Sequence, residues 1–307
     1  MKKRIFCLIL ALVMVLSLAA CAGSGNDNTE NTKDTTTNTE GSEATTPVSG
    51  GEAELALITD ANSIDDRGFN QFSWEGLKQY AEENGKTYTY YTPIDQSTQS
   101  YLSAIEGAVN NGAKLIVTPG FLFGEAIYKA QTMYPDVHFV LVDATPTLDD
   151  DTVIADNTCS IFFAEEQSGF LAGYAAVKEG YRKLGFFGAL AVPAVVRYGY
   201  GYVQGVDAAA KELDITVDLK YAYGNQFSGD ADITAAMDTW YQGGTEIVFA
   251  CGGGIYTSAA EAAAKVGGKI IGVDVDQAGI IDGDYGEGMT VTSAMKGLAP
   301  TVKHLLS

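Results

Sequence analysis

The chain has 307 residues, with 39 acidic against 19 basic side chains and a formal net charge of −20. So large an excess of negative charge disfavours nucleic acids and other polyanions as partners. The four cysteines have neither the density of a disulfide framework nor the spacing of a zinc site.

The first twenty residues have the composition of a secretory signal peptide. Three basic residues lie within the first four, an apolar stretch covers 5–18, and two alanines stand directly before Cys21. The junction resembles the lipobox of bacterial lipoproteins, which implies cleavage after residue 20, a lipid on Cys21 and a location on the extracytoplasmic face of the cell membrane. An ordinary signal peptide followed by an incidental cysteine is the alternative. Removal of 1–20 takes three cations with it and brings the net charge to −23.

Residues 21–51 are predicted to be a disordered tether. From residue 22 the segment consists almost entirely of Gly, Ser, Thr, Asn, Asp and Glu, which bury too little apolar surface to fold. A tether directly after a lipidated cysteine gives a folded domain reach above the membrane, and two acyl chains make such an anchor stable. The segment therefore favours the lipoprotein interpretation over the incidental cysteine.

From residue 52 onward, short apolar segments alternate with segments of helical periodicity. The first series contains strands at 54–60, 86–92, 114–118 and 137–142 and helices at 69–84, 99–111 and 122–134. After the turn-rich segment 144–157, the second series contains helices at 164–178, 195–213, 230–242 and 256–266 and strands at 183–189, 215–222, 245–250 and 269–275. A strand at 289–293 and a helix at 296–306 follow.

This alternation predicts an α/β fold with two doubly wound parallel sheets. We assign 52–157, joined by 290–307, to a first lobe and 158–289 to a second lobe, each of ordinary domain size. Ligands of such sheets bind at the carboxyl ends of the strands, where Asp60 and Asp143 fall in the first lobe. Two lobes that face each other across those ends form a cleft, which commonly closes on its ligand by a hinge motion.

The join between the first strand and the first helix is rich in polar and aromatic side chains. A strand-to-helix turn is usually short, yet Asp60, Asp65, Asp66, Phe69 and Asn70 all stand here. Phe69 could serve only to staple the helix start to the sheet, and Asn70 could cap the helix. Asp65 and Asp66 are expected to cap the helix or to lie in solvent. An aromatic ring beside an amide at a strand end also indicates that a ligand is held there.

Five segments of the chain carry recognisable motifs in a fixed order. They are TDANSIDDRGFNQFSWEGL (59–77), AEEQSGFLAGYAA (164–176), LGFFGALAVPAVVRYGYGYVQGV (184–206), IIGVDVDQAG (270–279) and VTSAMKG (291–297). Together they resemble the basic membrane protein family of solute-binding lipoproteins, whose opening motif matches without a gap from Thr59 to Gln71. The resemblance covers 54–307 and implies a type I periplasmic-binding-protein fold. It also implies a purine nucleoside (adenosine, guanosine or inosine) as ligand, an ABC permease as partner, and neither a cofactor nor catalytic residues.

By that resemblance, four residues surround the base. Two aromatic rings sandwich the base in the family, and the matching positions are Phe69 and Tyr198, although phenylalanine is usual at the second. Asn70 and Asp143 match positions implied to hydrogen-bond the base edge. Stacking contributes about 1–3 kcal/mol per base and tolerates either purine. The hydroxyl of a buried Tyr198 needs a hydrogen-bond partner.

Five further residues are implied at the ribose and the strand ends. Asp274 and Lys296 match positions that hold the ribose, with the backbone of Gly252 and Gly253 nearby, and Asp60 occupies the family's strand-end acid. A carboxylate accepts charge-assisted hydrogen bonds from a vicinal diol, and Lys296 would neutralise Asp274, whose unpaired burial is costly. Because these acids repel phosphate, nucleosides are expected to bind better than nucleotides.

Two other functions fit parts of the sequence. A sugar-binding or sensor lipoprotein of the same fold also uses aromatic faces and paired aspartates. A secreted nucleoside-processing enzyme is less favoured, because His138 and His304 are the only histidines and no clustered aspartate motif for a metal occurs. Cys159 and Cys251 either form a disulfide or are buried thiols, and we favour the prediction of buried thiols. Relatives commonly continue for a few dozen residues beyond the last helix, so a truncated C-terminus is a further expectation.

Overall fold

The computed structural model describes residues 52–60 and 62–307. The predicted signal peptide, the lipidated Cys21 and the tether over 21–51 lie outside the described residues. Within the described part of the chain, no helix is both long enough and apolar enough to cross a bilayer.

The first lobe is built around a five-stranded sheet. In chain order its elements are β1 (Leu55–Ile58), α1 (Phe69–Asn84), β2 (Tyr88–Tyr91), α2 (Thr98–Asn110), β3 (Leu115–Pro119), α3 (Gly124–Met133), β4 (His138–Val142), the hairpin strands β5 (Thr147–Leu148) and β6 (Asp151–Thr152), and β7 (Thr158–Ile161). The strand order is β2-β1-β3-β4-β7, and neighbouring strands run parallel. A 3₁₀ turn over Phe121–Phe123 leads from β3 into α3.

The second lobe repeats this architecture. Its elements are α4 (Glu165–Lys178), β8 (Lys183–Gly188), α5 (Pro193–Leu213), β9 (Asp218–Tyr223), α6 (Ala231–Gln242), β10 (Ile247–Cys251), α7 (Tyr256–Ala264), β11 (Lys269–Asp274), α8 (Ala278–Tyr285) and β12 (Thr290–Met295). The strand order is β12-β11-β10-β8-β9, again parallel throughout. The helix α9 (Leu298–Leu305) follows. Residues at the carboxyl ends of strands from both sheets line one cavity.

Two lobe boundaries predicted from the sequence are wrong. β7 pairs with β4, with Thr158 opposite Phe139, so the first sheet continues through residues assigned to the second lobe. β12 pairs with β11 in the second sheet, whereas 290–307 was assigned to the first lobe. Both are edge strands with several partly exposed side chains, so their own pattern does not reveal which sheet they join.

The last helix packs against the first lobe. A Cβ added to Gly76 of α1 would lie 2.4 Å from the carbonyl oxygen of Ala299, so α1 and α9 pack backbone to backbone. Val302 is buried in the same apolar cluster as Leu77. The chain thus passes between the lobes twice, after β7 and after β12.

The strands are buried on both faces of each sheet. All four residues of β1 and all five of β10 are buried, and separate apolar clusters cover the two faces of the first sheet and of the second. Parallel strands enclosed in this way are apolar along their whole length. Polar side chains that contact a ligand are therefore expected at the ends of these strands.

Glycines bring α4 and α5 into direct contact. A Cβ on Gly173 would lie 2.3 Å from the carbonyl oxygen of Tyr202, and one on Gly201 would lie 2.0 Å from that of Glu166. Gly169 and Gly173 therefore allow the two helices to pack closely within the second lobe, because no larger residue fits the contact. This close approach also places the first turn of α4 beside the second and third turns of α5.

Candidate ligand-binding site

A cavity of about 670 Å³, including its open mouth, lies between the two lobes. Its lining includes eight of the nine ligand-binding residues implied from the sequence. These are Asp60, Phe69, Asp143, Tyr198, Gly252, Gly253, Asp274 and Lys296. The ninth, Asn70, lies behind the cavity wall. Clefts between two lobes are common positions for small-molecule binding sites.

The strand ends at the cavity share an unusual backbone conformation. Asp143 follows β4 with φ 64°, and Asp274 ends β11 with φ 64°. Gly120 after β3 and Gly252 after β10 also have positive φ, at 110° and 122°. A side-chain-bearing residue in this region carries backbone strain, which is common at binding sites because the surrounding structure must hold it. Both lobes thus turn an aspartate into the cleft at corresponding strand ends.

Lys296 is the centre of a buried charge cluster. Its ammonium donates a hydrogen bond to Asp143 and lies 3.2 Å from Glu165 Oε1 and 3.5 Å from Asp274 Oδ1. Burial by itself would lower the pKa of Lys296, but the carboxylates of Asp274, Asp143 and Glu165 hold it above its ordinary value. The lysine is therefore charged in the closed cleft. It pairs with Asp274 and also reaches Asp143 in the opposite lobe.

Three aromatic rings surround the same ammonium. Lys296 Nζ lies 5.0 Å from the ring centroid of Phe69, 5.3 Å from that of Tyr198 and 5.7 Å from that of Phe163. These distances are within the range of cation–π attraction. The hydroxyl of Tyr198 donates to the carbonyl oxygen of Ala294 at 3.0 Å, which supplies the partner expected for it.

Two aromatic residues at the cavity were missed by sequence reasoning. Phe121 of the first lobe and Phe227 of the second line the cavity, with their ring centroids 6.2 Å apart. Phe121 directly follows Gly120 at the end of β3, which is the sequence signal that could have identified it. Phe227 lies in the loop between β9 and α6, where no strand-end rule applies.

Asn70 supports Asp60 from behind. Its amide nitrogen donates to Asp60 Oδ1 at 2.7 Å and to Asp66 Oδ2 at 2.9 Å, and its amide oxygen accepts from the backbone N–H of Asp60 at 3.1 Å. Asp66 in turn accepts backbone hydrogen bonds from Gly68, Asn70 and Gln71. Asp66 therefore caps α1, one of the two roles predicted for it, because its carboxylate satisfies N–H groups at the helix start. The crowded join holds Asp60 in place at the cavity.

Asp143 is held by groups from both sides of the cleft. Oδ2 accepts from Lys296, while Oδ1 accepts from the backbone N–H of Phe163 at 3.4 Å and lies 3.5 Å from Arg197 Nη2. Burial, together with the neighbouring Glu165, raises the pKa of Asp143 to about 6 against the lowering effect of Lys296. Sequence reasoning selected Asp143 but missed Glu165 and Arg197, which stand at the starts of α4 and α5.

The cavity lining is strongly acidic. Its charged residues are four aspartates and Lys296, and the aspartates are Asp60, Asp66, Asp143 and Asp274. Burial raises the pKa of Asp274 as well, against the lowering effect of Lys296. An anionic ligand group would meet this field at short range and be repelled. The site is suited to a neutral ligand that offers hydrogen-bond donors.

The two cysteines of the described chain are unpaired. Cys251 at the end of β10 is buried and lines the cavity, as expected of a buried thiol, whereas Cys159 on β7 is exposed. They lie in different sheets. The disulfide alternative is therefore wrong, and so is the expected burial of Cys159, because its strand lies at the edge of the first sheet.

Comparison with known proteins identifies relatives over almost the whole described chain. The family described as ABC transporter substrate-binding protein PnrA-like matches residues 53–307. An ABC transporter nucleoside-binding protein of Lactococcus lactis subsp. cremoris is 33% identical over 293 residues, which cover 90% of this chain and 75% of that protein. Basic membrane protein B of Borreliella afzelii is 29% identical over 251 residues, covering 79% and 69%.

A solved structure shows the same fold. A solute-binding protein of an ABC transporter system from Aeropyrum pernix K1 superposes with a TM-score of 0.68 at 23% identity, covering 82% of this chain and 69% of that chain. The predicted fold class, an α/β protein of the periplasmic-binding-protein type, is thereby confirmed.

Proposed function

The chain belongs to the PnrA-like family of ABC transporter substrate-binding proteins, and we propose that its cleft captures purine nucleosides and delivers them to an ABC importer. The observation that carries this proposal is that one cavity brings aromatic rings and carboxylates together from both lobes. A nucleoside has a flat aromatic base and a ribose diol, so it requires both kinds of surface. The relative from Lactococcus lactis is named as nucleoside-binding.

The base is proposed to stack on Phe69 in the first lobe. Two residues of the second lobe are candidates for the opposite ring. Tyr198, implied by resemblance, is only 1% exposed and meets the Phe249 ring edge-on at 5.7 Å, so packing occupies much of its surface. Phe227 is half-buried and reaches the cavity mouth beside Phe121. The geometry favours Phe227 as the second stacking ring, with Tyr198 forming the cavity wall.

The ribose is proposed to bind at Asp274, with Lys296 nearby. A carboxylate there can accept two charge-assisted hydrogen bonds from the vicinal hydroxyls. The adjacent turn has no room for side chains, since a Cβ on Gly252 would lie 2.7 Å from Ala189 Cβ and one on Gly253 would lie 2.8 Å from the Phe227 carbonyl oxygen. The ligand can therefore approach the backbone of this turn closely.

Replacing Phe69 with alanine is expected to weaken purine nucleoside binding about tenfold, the scale of one lost stacking contact. Calorimetric titration of guanosine into the folded variant measures the change. The matched control is Phe72→Ala, which removes a ring from the same helix that does not line the cavity. An affinity equal to that of the parent protein would remove Phe69 from the base site.

Capture without turnover is the second expected property. Inosine incubated with ligand-stripped protein should be recovered intact and bound in a one-to-one ratio, as measured by chromatography of the released ligand. Accumulation of free base beyond the protein concentration would instead favour the nucleoside-processing enzyme. Binding of free ribose in preference to inosine would favour the sugar-binding alternative.

Cys21 is proposed to carry a lipid that anchors the protein on the extracytoplasmic face of the membrane. The support is the lipobox-like junction and the tether that follows it. A Cys21→Ser variant is expected to lose its radiolabelled lipid and to leave the membrane fraction, whereas Cys159→Ser should remain membrane-bound. Retention of the Cys21→Ser variant in the membrane fraction would contradict the proposed anchor.

A further inference from the structure

Arg197 and Glu165 form a charged pair that the proposed ligand contacts do not use. Arg197 lies in the second turn of α5 and Glu165 begins α4, and the glycine contacts between these helices bring the two residues together. Arg197 Nε donates to Glu165 Oε2 at 2.5 Å. The Glu165 side chain is fully buried and also approaches Lys296. The pair therefore belongs to the second lobe and borders the charge cluster.

Arg197 also reaches toward the first lobe. Its Nη2 lies 3.5 Å from Asp143 Oδ1, and its guanidinium carbon lies 5.3 Å from the ring centroid of Phe162 in the segment that joins β7 to α4. A guanidinium is a rigid planar fork, so fixing Nε on Glu165 also fixes the direction of Nη2. Glu165 thus holds Arg197 facing Asp143.

Arg197 Nη2 has no hydrogen-bond partner among the described residues although it is buried. The 3.5 Å separation from Asp143 is within ion-pair range but longer than a good hydrogen bond. A buried donor without a partner is costly. A small further approach of the lobes would complete a hydrogen bond from Arg197 to Asp143.

The charge balance explains why Asp143 needs a second cation. Within the second lobe, the carboxylates of Glu165 and Asp274 are balanced by Arg197 and Lys296. Closure adds the carboxylate of Asp143, so these three acids share two cations, and Glu166 is a further acid that acts on Arg197. Without Arg197, a single ammonium would face three buried carboxylates, and the pKa of Asp143 would rise, so that Asp143 takes up a proton at a higher pH. A protonated Asp143 has lost the negative charge that strengthens its acceptance of hydrogen bonds from a ligand.

We propose that Arg197, held by Glu165, is the positioning residue that keeps Asp143 ionised and oriented for the ligand when the lobes close. This inference rests on the proposed function for the ligand's identity, but its effect on Asp143 does not require a ligand. Residues of the second lobe, Arg197 and Glu165, thus set the charge and orientation of Asp143, the hydrogen-bond acceptor of the first lobe.

The first test titrates Asp143 in ligand-free protein. The carboxyl ¹³C resonance of Asp143, assigned by its loss in Asp143→Asn, should titrate near pH 6 in the parent protein. An opposite charge at this distance changes a pKa by about one or more, so the midpoint should rise by about one pH unit in Arg197→Met and in Arg197→Gln. Arg67→Met, which removes an exposed ion pair between the lobes with Asp284, should leave it unchanged. An unchanged midpoint in a folded Arg197 variant would overturn the proposal.

The second test measures guanosine affinity against pH. If the ligand binds ionised Asp143, the loss of affinity in Arg197→Met should approach tenfold at pH 5 and become small at pH 8, because a midpoint one pH unit higher acts mainly on the acid side. Arg197→Lys, which keeps the charge, should recover part of the affinity at pH 5. The same loss at every pH would show a merely structural role and overturn the proposal. If the parent protein binds no nucleoside, the proposed function fails, and the titration of Asp143 still decides the role of Arg197.

Discussion

Replacing Lys296 with methionine is expected to destabilise the protein by about 3–5 kcal/mol at pH 8, the usual cost of removing one partner from a buried ion cluster. Lys296 is the cation shared by Asp143, Glu165 and Asp274. Its pKa is raised in the folded protein, so its charge and its stabilising effect are fully present at pH 8. Removal leaves buried carboxylates without their cation. Urea unfolding measures the change in the free energy of unfolding.

The deficit of the Lys296→Met variant is expected to shrink as the pH falls from 8 to 5. Without the ammonium, the pKa values of the buried carboxyls rise above those in the parent protein, so the folded variant takes up more protons than the folded parent as the pH falls and recovers part of the lost stability. The control is Lys303→Met, because Lys303 pairs with Glu83 at the surface, where a single ion pair contributes little. Equal stability of the two variants at pH 8 would contradict the central role of Lys296.

Replacing Asp274 with alanine is expected to weaken guanosine binding about a hundredfold while weakening guanine binding much less. Two charge-assisted hydrogen bonds to the ribose diol account for the difference, since each contributes about 1.5–3 kcal/mol and a hundredfold change, about 2.7 kcal/mol, is near the lower limit of their sum. Free guanine has no ribose and loses none of these bonds. Calorimetric titration with both ligands gives the two ratios.

The backbone at Asp274 calls for a second variant. Its φ of 64° is a conformation that asparagine tolerates better than alanine, so Asp274→Asn removes the charge with less disturbance of the turn. Its loss for guanosine should again exceed its loss for guanine. Asp276→Ala, an exposed acid two residues further on, is the matched control. Equal losses for guanosine and guanine would remove Asp274 from the ribose site.

The sequence predicts most helices and central strands well. The helix predicted at 69–84 is α1 (Phe69–Asn84), and the strand predicted at 137–142 is β4 (His138–Val142). Central parallel strands are apolar throughout because both faces are buried, and the helices between them keep a helical period. β7 and β12 were assigned to the wrong lobes because the partner of an edge strand is set by long-range packing.

In the candidate site, too, the features set by local sequence were predictable and those set by long-range packing were not. Asp143 was selected because a parallel sheet gathers ligand residues at its strand ends, whereas Asp274 was implied by the family resemblance. The pairing of Arg197 with Glu165 depends on how closely two helices pack across glycines, which sequence spacing alone does not give. Asn70 stands beside Phe69 in the motif, yet it faces Asp60 behind the cavity wall. Its implied contact with the base stays a prediction.

The most direct test of the account is calorimetric titration of the ligand-stripped protein with guanosine, inosine, adenosine, ribose and guanosine monophosphate. The account predicts that the purine nucleosides bind at least about a hundredfold more tightly than ribose or the monophosphate, a difference of about 2.7 kcal/mol. Stacking on Phe69 favours the base, and the four aspartates of the cavity oppose the phosphate. Ribose or guanosine monophosphate binding as tightly as guanosine would contradict the proposed function.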